Sequence, residues 1–238
     1  MIYSIIKQVR RSLKNASEER HRISGQRFFK ETVKLYGVPS AQVKKIAKEH
    51  FVSIKEKPKV EIFDLCEELW QSDYIEETFI ACDWSYYIHK DYDAGDFTIF
   101  ERWVETHVDN WASCDTLCNH SVGTLVEMYP KLVSKLKNWA KSENRWTKRS
   151  AAVSLIIPAR KGLFRKEIFQ IAKTLLHDED DLVQKGYGWM LKAAADFDRN
   201  GVFEFVMKHK KTMPRTALRY AIEKMPPEMR KKAMEKQP

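Results

Sequence analysis

Glycine and proline are scarce in this chain, which has eight of each among 238 residues. Both residues are frequent in sandwich turns, long loops and disordered linkers, so their scarcity argues against those architectures and favours a helical protein. Apolar residues make up 43% of the chain and charged residues 32%, a balance that predicts a soluble globular protein with a substantial core.

Long apolar runs are missing as well, and no segment approaches the roughly 20 apolar residues of a membrane span. The start, MIYSIIKQVRR, lacks the apolar core and the cleavage site of a signal peptide. The four cysteines have no spacing typical of a secreted disulfide scaffold, which indicates reduced thiols. We therefore expect a cytoplasmic protein without membrane contact, and nothing in the sequence suggests more than a monomer.

Acidic residues are unevenly distributed along a chain whose net charge is +9. Residues 1–60 carry 15 Lys and Arg against 5 Asp and Glu, and residues 199–238 carry 11 against 4. Residues 145–166 hold seven basic residues and no acid, whereas residues 61–101 hold 12 acids. This segregation suggests one face for a polyanion and another for solvent, although solvated helix faces would give the same pattern.

Strand-like alternation is absent, and apolar residues instead recur three and four positions apart. This spacing predicts helices in IIKQVRRSL, FFKETVKLY, QVKKIAKEHF and EIFDLCEELW, and we expect a helical N-terminal part over 1–57. The segment 37–40 (Gly-Val-Pro-Ser) separates two of these helices, with Ser40 as the N-cap of the second, and Lys57-Pro58 interrupts the chain again.

A repeat is visible in the later helices. At intervals of 36, 35 and 37 residues, similar patterns begin at Ile75, Trp111, Trp146 and Val183. Each pattern is joined by a second helix, such as YPKLVSKLKNWA or RKEIFQIAKTLL. Paired helices with a period near 40 are typical of HEAT or armadillo solenoids. We predict an all-α solenoid that forms a single HEAT-like domain over 1–238, with a concave face and its clearest repeats over about 72–225.

Basic side chains at matching repeat positions are expected to line that concave face. Lys148 and Arg149 lie at the start of one helix, and Lys185 lies in the matching place one repeat later. A concave basic trough suits a rod-like polyanion such as duplex DNA, because Lys and Arg neutralise its phosphates. The alternative is a protein-binding solenoid, which is the commoner use of such repeats.

The stretch NWASCDTLCNH, residues 110–120, first suggests half of a zinc site. However, His120 lies about 200° around a helix from Cys118, and no second ligand pair stands at matching spacing. We interpret Cys114 and Cys118 as packing residues of a helix, and we expect neither a metal nor a cofactor.

Trp111 and Asp115 lie four residues apart in the same stretch. With Asp109 or Asn110 as the N-cap, a helix begins near Trp111 and carries both side chains on one face. A carboxylate on such a face is costly to bury, so Asp115 must be paired, bound to the helix N-terminus, or open to a cleft.

Arg149 and Trp189 extend this set into the next two repeats. Arg149 lies one repeat after Asp115 to within one residue, and Trp189 lies one repeat further on. Such positions are side by side in a solenoid, so these residues are candidates for a common site. Alternatively, Arg149 forms a salt bridge with Asp115, and Trp189 is a core residue. Two poor helix formers near Trp189, Gly186 and Gly188, indicate close packing or clearance for a partner.

At these residues the sequence resembles the AlkD-type DNA alkylation repair glycosylases. The resemblance is carried by the order and separation of NWASCDT, NRWTKRSAAVSL and LVQKGYGWMLKAAA, and it extends weakly over nearly the whole chain, including YGVPSAQVKKIAK. It implies a HEAT-like fold that holds duplex DNA in its concave face and removes cationic N3- and N7-alkylpurines. It also implies that the lesion is handled while stacked in the duplex, unlike in base-flipping enzymes.

The resemblance assigns roles to four residues. Asp115 is the expected catalytic carboxylate, Trp111 and Trp189 are expected to contact the sugar and backbone at the lesion, and Arg149 is expected to hold a phosphate. The chemistry suits these types, because a cationic purine needs no general acid, and a fixed carboxylate stabilises an oxocarbenium-like sugar. Tryptophan faces favour a nearby cation by roughly 0.5–2 kcal/mol.

Two departures from the family pattern lie near the N-terminus. The segment 38–40 (Val-Pro-Ser) stands where many members have a polar or basic residue before a Thr or Ser. Phe28 stands where an aromatic residue with a hydroxyl is often found. Both departures concern contacts on the lesion side, whereas the four residues of the core set are present.

The sequence thus predicts a monofunctional DNA glycosylase of base excision repair that acts on alkylpurines. Two alternatives stay open: a non-catalytic HEAT-like protein that binds unusual or damaged DNA, and a protein-binding solenoid scaffold. The salt dependence of duplex binding separates the scaffold from the other two, because it reports phosphate contacts.

Overall fold

The structure is a computed structural model that describes residues 2–235, with side chains from Ser4 onward. The ends of the predicted domain, residue 1 and residues 236–238, lie outside this range. The α-helices of the described range are α1 (Ile2–Asn15), α2 (Glu19–Gln26), α3 (Ser40–Phe51), α4 (Lys59–Trp70), α5 (Ile75–Tyr87), α6 (Phe97–Thr106), α7 (Trp111–Leu117), α8 (Gly123–Met128), α9 (Val133–Trp139), α10 (Arg145–Val153), α11 (Ile156–Arg160), α12 (Arg165–Thr174), α13 (Asp181–Ala194), α14 (Arg199–His209), α15 (Arg215–Ile222) and α16 (Pro227–Met234).

Shorter helical turns complete the secondary structure. They are the 3-10 turns His89–Asp91, Ala94–Asp96 and Pro130–Leu132, and a π-helical turn, Cys118–Val122. Within residues 2–235 the β pairing amounts to one isolated bridge between Lys34 and Tyr74. The prediction of an all-α fold built from helical repeats is confirmed.

The chain divides into two compact units, with the boundary between Leu117 and Cys118. In the first unit, α1 packs on α3 and α4, and α5 packs on α3, α4 and α7. Its core is rich in aromatic residues, because Trp70, Trp84 and Trp103 are all buried. The indole Nε1 of Trp84 donates a hydrogen bond of 2.8 Å to the carbonyl of Ala47, which satisfies the polar atom of this large core side chain.

In the second unit, α13 is the central helix and packs on α10, α11, α12 and α15. Its buried face carries Val183, Tyr187, Met190 and Leu191, each fully shielded from solvent. Burial of side chains of this size contributes about 1.5–3 kcal/mol each, so α13 is a main source of this unit's stability.

A side-chain N-cap marks the start of three of the four repeats, those of α7, α10 and α13, whereas Tyr74, before α5, forms no side-chain cap hydrogen bond. The side-chain oxygen of Asn110 accepts a hydrogen bond of 2.9 Å from the backbone N–H of Ser113 at the start of α7. Asn144 caps α10 in the same way, and Asp180 caps α13. An N-cap of this kind is worth about 1 kcal/mol, so the predicted repeat register has a physical origin at these three helix starts.

The prediction of a helix over FFKETVKLY is wrong, because residues 28–36 form an irregular segment after α2. Its backbone groups find partners outside a helix. Gln26 accepts a hydrogen bond of 3.1 Å from the N–H of Val33 and donates one of 2.8 Å to the carbonyl of Glu31. Ser40 is the first residue of α3 rather than its N-cap, a position that Pro39 occupies without a side-chain hydrogen bond.

The opposite charges of residues 1–60 and 61–101 pair with each other inside the first unit. Arg10 contacts the carboxylate of Glu77 at 3.1 Å, and Lys59 contacts that of Asp96 at 2.9 Å. Lys34 likewise pairs with Asp73 at 2.8 Å. Part of the positive charge of residues 1–60 is therefore neutralised by the acidic residues of 61–101 within the same unit.

Candidate functional site

Helix α7 carries Trp111 and Asp115 in the first unit. Trp111 is its first residue, and Asp115 follows one turn later, so both side chains lie on the same side of the helix. Both are partly exposed to solvent, whereas the neighbouring Cys114 and Leu117 are fully buried. The cap at Asn110 fixes where the helix starts and therefore where these two side chains point.

The indole of Trp111 is held in place by the irregular segment after α2. Its Nε1 donates a hydrogen bond of 3.2 Å to the backbone carbonyl of Phe28. Its ring also stacks on that of Phe29, with 5.6 Å between the centroids and 23° between the planes. A tryptophan fixed by both contacts presents a defined face to a ligand.

A buried carboxylate, Glu76, anchors the next part of this segment. Its side chain is 3% exposed and accepts hydrogen bonds from the backbone N–H groups of Tyr36, Gly37 and Val38 at 3.1, 2.8 and 3.1 Å. Gly37 has a φ of +87°, and a Cβ there would lie 2.5 Å from the carbonyl oxygen of Glu18. This turn therefore needs glycine, and Glu76 supplies the hydrogen bonds that a helix would otherwise provide.

Glu77, beside Glu76, fixes Tyr36 from the other side. The hydroxyl of Tyr36 donates a hydrogen bond of 2.7 Å to the carboxylate of Glu77, which is 0% exposed and also pairs with Arg10. Burial, reinforced by the carboxylate of Glu77, raises the pKa of Tyr36 well above its usual value. The ring of Tyr36 also stacks on that of Tyr74, with 4.1 Å between the centroids. We call the contacts of Glu76 and Glu77 with residues 36–38 the anchor of this segment.

The cysteines of NWASCDTLCNH are packed in the core, as the sequence indicated. Cys114 and Cys118 are both 0% exposed, and Cys118 lies in the π-helical turn. None of the four cysteines forms a disulfide. Burial raises the pKa of the Cys66 and Cys82 thiols, which disfavours the reactive thiolate. In the part of the chain that the structure describes, no three His, Cys, Asp or Glu side chains are grouped as metal ligands.

Arg149 lies in the second unit, on α10, and is 5% exposed. Its Nη1 donates a hydrogen bond to the carbonyl of Leu182 in the first turn of α13. A Cβ on Gly186 would lie 3.2 Å from the Cγ of Arg149, so this glycine makes room for the arginine stem. Of the two readings of Gly186, close packing is the one that this distance supports.

Arg149 and Lys185 occupy equivalent repeat positions, since each lies five residues after its N-cap, as Asp115 does after Asn110. Counted from the N-caps, Asp115 and Arg149 are at the same position of their repeats, whereas the repeat starts read from the sequence placed them one residue apart. The charge at this repeat position is negative in one repeat and positive in the next two.

The two lysines expected at phosphates form ion pairs in the second unit. Lys148 pairs with Asp178, just before α13, and the Nζ of Lys185 lies 3.0 Å from the carboxylate of Asp181. Lys148 is the more shielded of the two. The more exposed pair, Lys185 with Asp181, is worth only about 0.2–1 kcal/mol, so an anionic ligand can compete with its carboxylate.

Trp189 lies on α13 and is partly exposed, so it is not a fully buried core residue. The adjacent Gly188 lies against α15, where a Cβ would be 2.7 Å from the Cβ of Tyr220 and 2.9 Å from the carbonyl oxygen of Ala217. The absence of a side chain at 188 therefore lets α13 and α15 pack closely and sets the position of Trp189.

Sequence reasoning missed the stacking of Phe29 on Trp111 and the residues that hold the irregular segment in place: Tyr36, Glu76 and Glu77. The signal for the two glutamates is their place directly after Ile75, the first residue of α5, in an otherwise apolar helix. Their role depends on an irregular segment 40 residues earlier, which no periodicity shows. Among the described residues, no helix has the length and apolar character that spanning a membrane requires.

Comparisons with known proteins agree with this architecture. No curated protein matches the chain. A solved structure described as a predicted DNA alkylation repair enzyme from Enterococcus faecalis is similar, with a TM-score of 0.80 and 16% sequence identity. The match covers 89% of this chain and 97% of that one, and at this identity it shows the fold. The family model of DNA alkylation repair enzymes matches residues 9–225, and the chain therefore belongs to that family.

Proposed function

We propose that this chain is a monofunctional DNA glycosylase that hydrolyses the N-glycosidic bond of cationic N3- or N7-alkylated purines in duplex DNA. Membership in the DNA alkylation repair enzyme family supports a role in DNA repair. The observation that carries the finer proposal is the pairing on α7 of a rigidly held indole, Trp111, with a partly exposed carboxylate, Asp115.

In the proposed reaction, Asp115 is the catalytic residue. The alkylated base already carries a positive charge, so the bond to the sugar breaks without protonation of the base. The electron pair of that bond leaves with the purine, and positive charge develops on the sugar. The carboxylate of Asp115 stabilises this charge and orients the water that adds to the sugar carbon, taking up its proton.

Trp111 and Trp189 are proposed to contact the sugar and backbone at the lesion. The face of an indole favours a nearby cation, which suits a tryptophan to the positive charge that develops on the sugar. The hydrogen bond and stacking of Trp111 support this role, because they hold the ring without requiring DNA. The partial exposure of Trp189 supports access to a ligand.

Arg149, Lys148 and Lys185 are proposed to bind phosphates. Arg149 is the best supported of the three candidates, because its stem is ordered against Gly186 and its guanidinium against the carbonyl of Leu182. An ordered guanidinium loses less entropy on binding a phosphate, and its planar fork suits the phosphate oxygens. The protein is proposed to act on this DNA as a monomer and without a cofactor.

Base release and DNA binding, measured side by side, test the proposal. The full chain is incubated with a duplex containing N7-methylguanine, and the free base is quantified by chromatography. Binding to the undamaged duplex is followed by fluorescence anisotropy at about 50 and 200 mM salt. We expect release well above the spontaneous rate and binding that weakens steeply with salt.

Other outcomes identify the alternatives. Salt-dependent binding without base release would identify the protein as a non-catalytic DNA-binding protein. Absence of both removes the DNA function. A Trp111→Phe variant refines the test, since phenylalanine keeps a ring to stack on Phe29 but loses the hydrogen bond to Phe28. We expect this variant to bind DNA normally and to release base more slowly.

A further inference from the structure

A cavity of about 350 Å³ lies beside Trp111 in the first unit. Its walls are mainly apolar and include four aromatic rings together with Leu35 and Ile75; the rings are Phe28, Phe29, Phe79 and Trp111. Pockets for small ligands have volumes of about 300–1,000 Å³, so this cavity suits a compact ligand.

The cavity lies next to the proposed catalytic helix and follows the repeat register. Phe79 stands four residues after the first residue of α5, as Asp115 stands four residues after the first residue of α7. The aromatic wall thus occupies, in one repeat, the position that the carboxylate occupies in the next. Trp111 belongs to both features, because its ring lines the cavity and its helix carries Asp115.

Two sides of the cavity are fixed before any ligand binds. The hydrogen bond from Trp111 to the carbonyl of Phe28 sets one side, and the anchor of Gly37 and Val38 on Glu76 sets another. A Cβ added at Gly25, also in the lining, would lie 3.1 Å from the Leu35 side chain, so α2 approaches the segment closely. A ligand that binds against these two sides does not incur the cost of ordering them.

Polar groups are confined to a few places in the lining. His21, Ser24 and Ser40 provide an imidazole and two hydroxyls, and the two serines are exposed, which places them at the mouth. The lining also includes Glu76, whose carboxylate accepts hydrogen bonds from three backbone N–H groups. A flat ligand with apolar faces and polar edges matches this distribution. Its faces would contact the aromatic walls, and its edge would hydrogen-bond at the mouth.

We propose that this cavity binds a planar heteroaromatic ring of purine size by stacking against Phe28, Phe79 and Trp111. Two sources supply such a ring: a free base in solution, including one released from DNA, and a base unstacked from a DNA strand. The inference goes beyond the proposed glycosylase, which treats its lesion within the stack, and it does not depend on bond cleavage.

The test compares two exposed phenylalanines, one at the cavity and one in the other unit. Phe28 is 73% exposed, and Phe28→Ala keeps the backbone carbonyl that holds Trp111, so the variant is expected to fold normally. Phe197, 66% exposed in the second unit, supplies the matched control Phe197→Ala. Thermal unfolding verifies that both variants are folded.

Each protein is titrated with free adenine and free N7-methylguanine by ligand-observed NMR, and separately with two DNA duplexes. One duplex carries 2-aminopurine in a normal pair, and the other carries it as an unpaired, bulged base. Loss of one stacking partner weakens the binding of a base by about five- to 150-fold. Because Phe28 is largely exposed, we expect Phe28→Ala to weaken binding by about fivefold, at the lower end of this range. Phe197→Ala should leave the affinity unchanged.

The two arms separate the sources of the ring. Weaker binding of the free bases in Phe28→Ala supports the cavity as a site for a base in solution. Weaker binding of the bulged duplex alone, with the paired duplex unchanged, supports a base presented by DNA. If neither arm depends on Phe28, the proposal is overturned, whatever the outcome for base release.

Discussion

Replacement of two glycines of α13 by alanine should affect the protein in different ways, although the glycines are only two residues apart. At Gly188 a Cβ would lie 2.9 Å from the carbonyl oxygen of Ala217 and 3.1 Å from its Cα. These are backbone atoms, so α13 and α15 must separate. Overpacking costs about 1–3 kcal/mol and alanine regains about 1 kcal/mol of helix propensity, which leaves a loss of about 2 kcal/mol at the upper end.

At Gly186 the new Cβ meets a side chain instead. Its nearest neighbours would be the Cγ of Arg149 at 3.2 Å and the Nη1 at 3.6 Å. The arginine can yield by a few tenths of an ångström, at a cost close to the gain in helix propensity. Stability should therefore stay within about 0.5 kcal/mol of the wild type, while the guanidinium is displaced and duplex binding weakens by about fivefold.

Urea unfolding and fluorescence anisotropy with a short duplex measure the two effects. Gly188→Ala should lower the free energy of unfolding, and Gly186→Ala should lower DNA affinity at nearly constant stability. Equal losses of stability in both variants would refute the reasoning from neighbour type. Wild-type DNA affinity in Gly186→Ala would show that the position of Arg149 does not matter for binding.

Three further predictions address the anchor, the pH response and the phosphate contacts. Glu76→Gln should destabilise the protein by about 2–3 kcal/mol, because three backbone N–H groups, two of them buried, lose a charged acceptor. The partly exposed Glu61 supplies the control, and Glu61→Gln should cost under about 1 kcal/mol in the same urea titration. Burial lowers the pKa of His50, whose imidazole contacts the hydroxyl of Ser12 at 2.9 Å. The unfolded chain therefore binds the proton more readily than the folded protein, and the free energy of unfolding should fall as the pH drops below about 6.5. His50→Gln should show a shallower loss over this range, and an unchanged slope would exclude His50 as its source. Lys148→Ala should reduce the salt slope of duplex binding by about one, and an unaltered slope would remove Lys148 from the phosphate contacts.

Helix positions and repeat register could be predicted because they depend on local features. The period of apolar residues located α3 and α4, and the cap at Asn110 confirmed the start of α7. Caps act within three residues of the helix start, so the signal is contained in a short stretch of sequence. The same locality explains why the offset of Asp115 and Arg149 could be recognised to within one residue.

The irregular segment 28–36 could not be predicted, because its structure depends on distant residues. Its apolar spacing is that of a helix, yet the adjoining turn at Gly37 and Val38 is held by Glu76, about 40 residues later in the chain. A buried carboxylate with three backbone donors competes successfully with local propensity. The aromatic cavity depends on the same segment, and for that reason it left no motif in the sequence.

The role of Asp115 in bond cleavage is the central claim, and a single-turnover measurement of base release tests it most directly. Asp115→Asn is compared with Asp109→Asn, an exposed neighbour whose carboxylate accepts a hydrogen bond of 2.8 Å from Asn110. The amide keeps the shape of the side chain but removes the charge that stabilises the sugar cation. We predict that Asp115→Asn slows release of N7-methylguanine by at least about a hundredfold, while Asp109→Asn leaves the rate near that of the wild type. Full activity in Asp115→Asn would contradict the account.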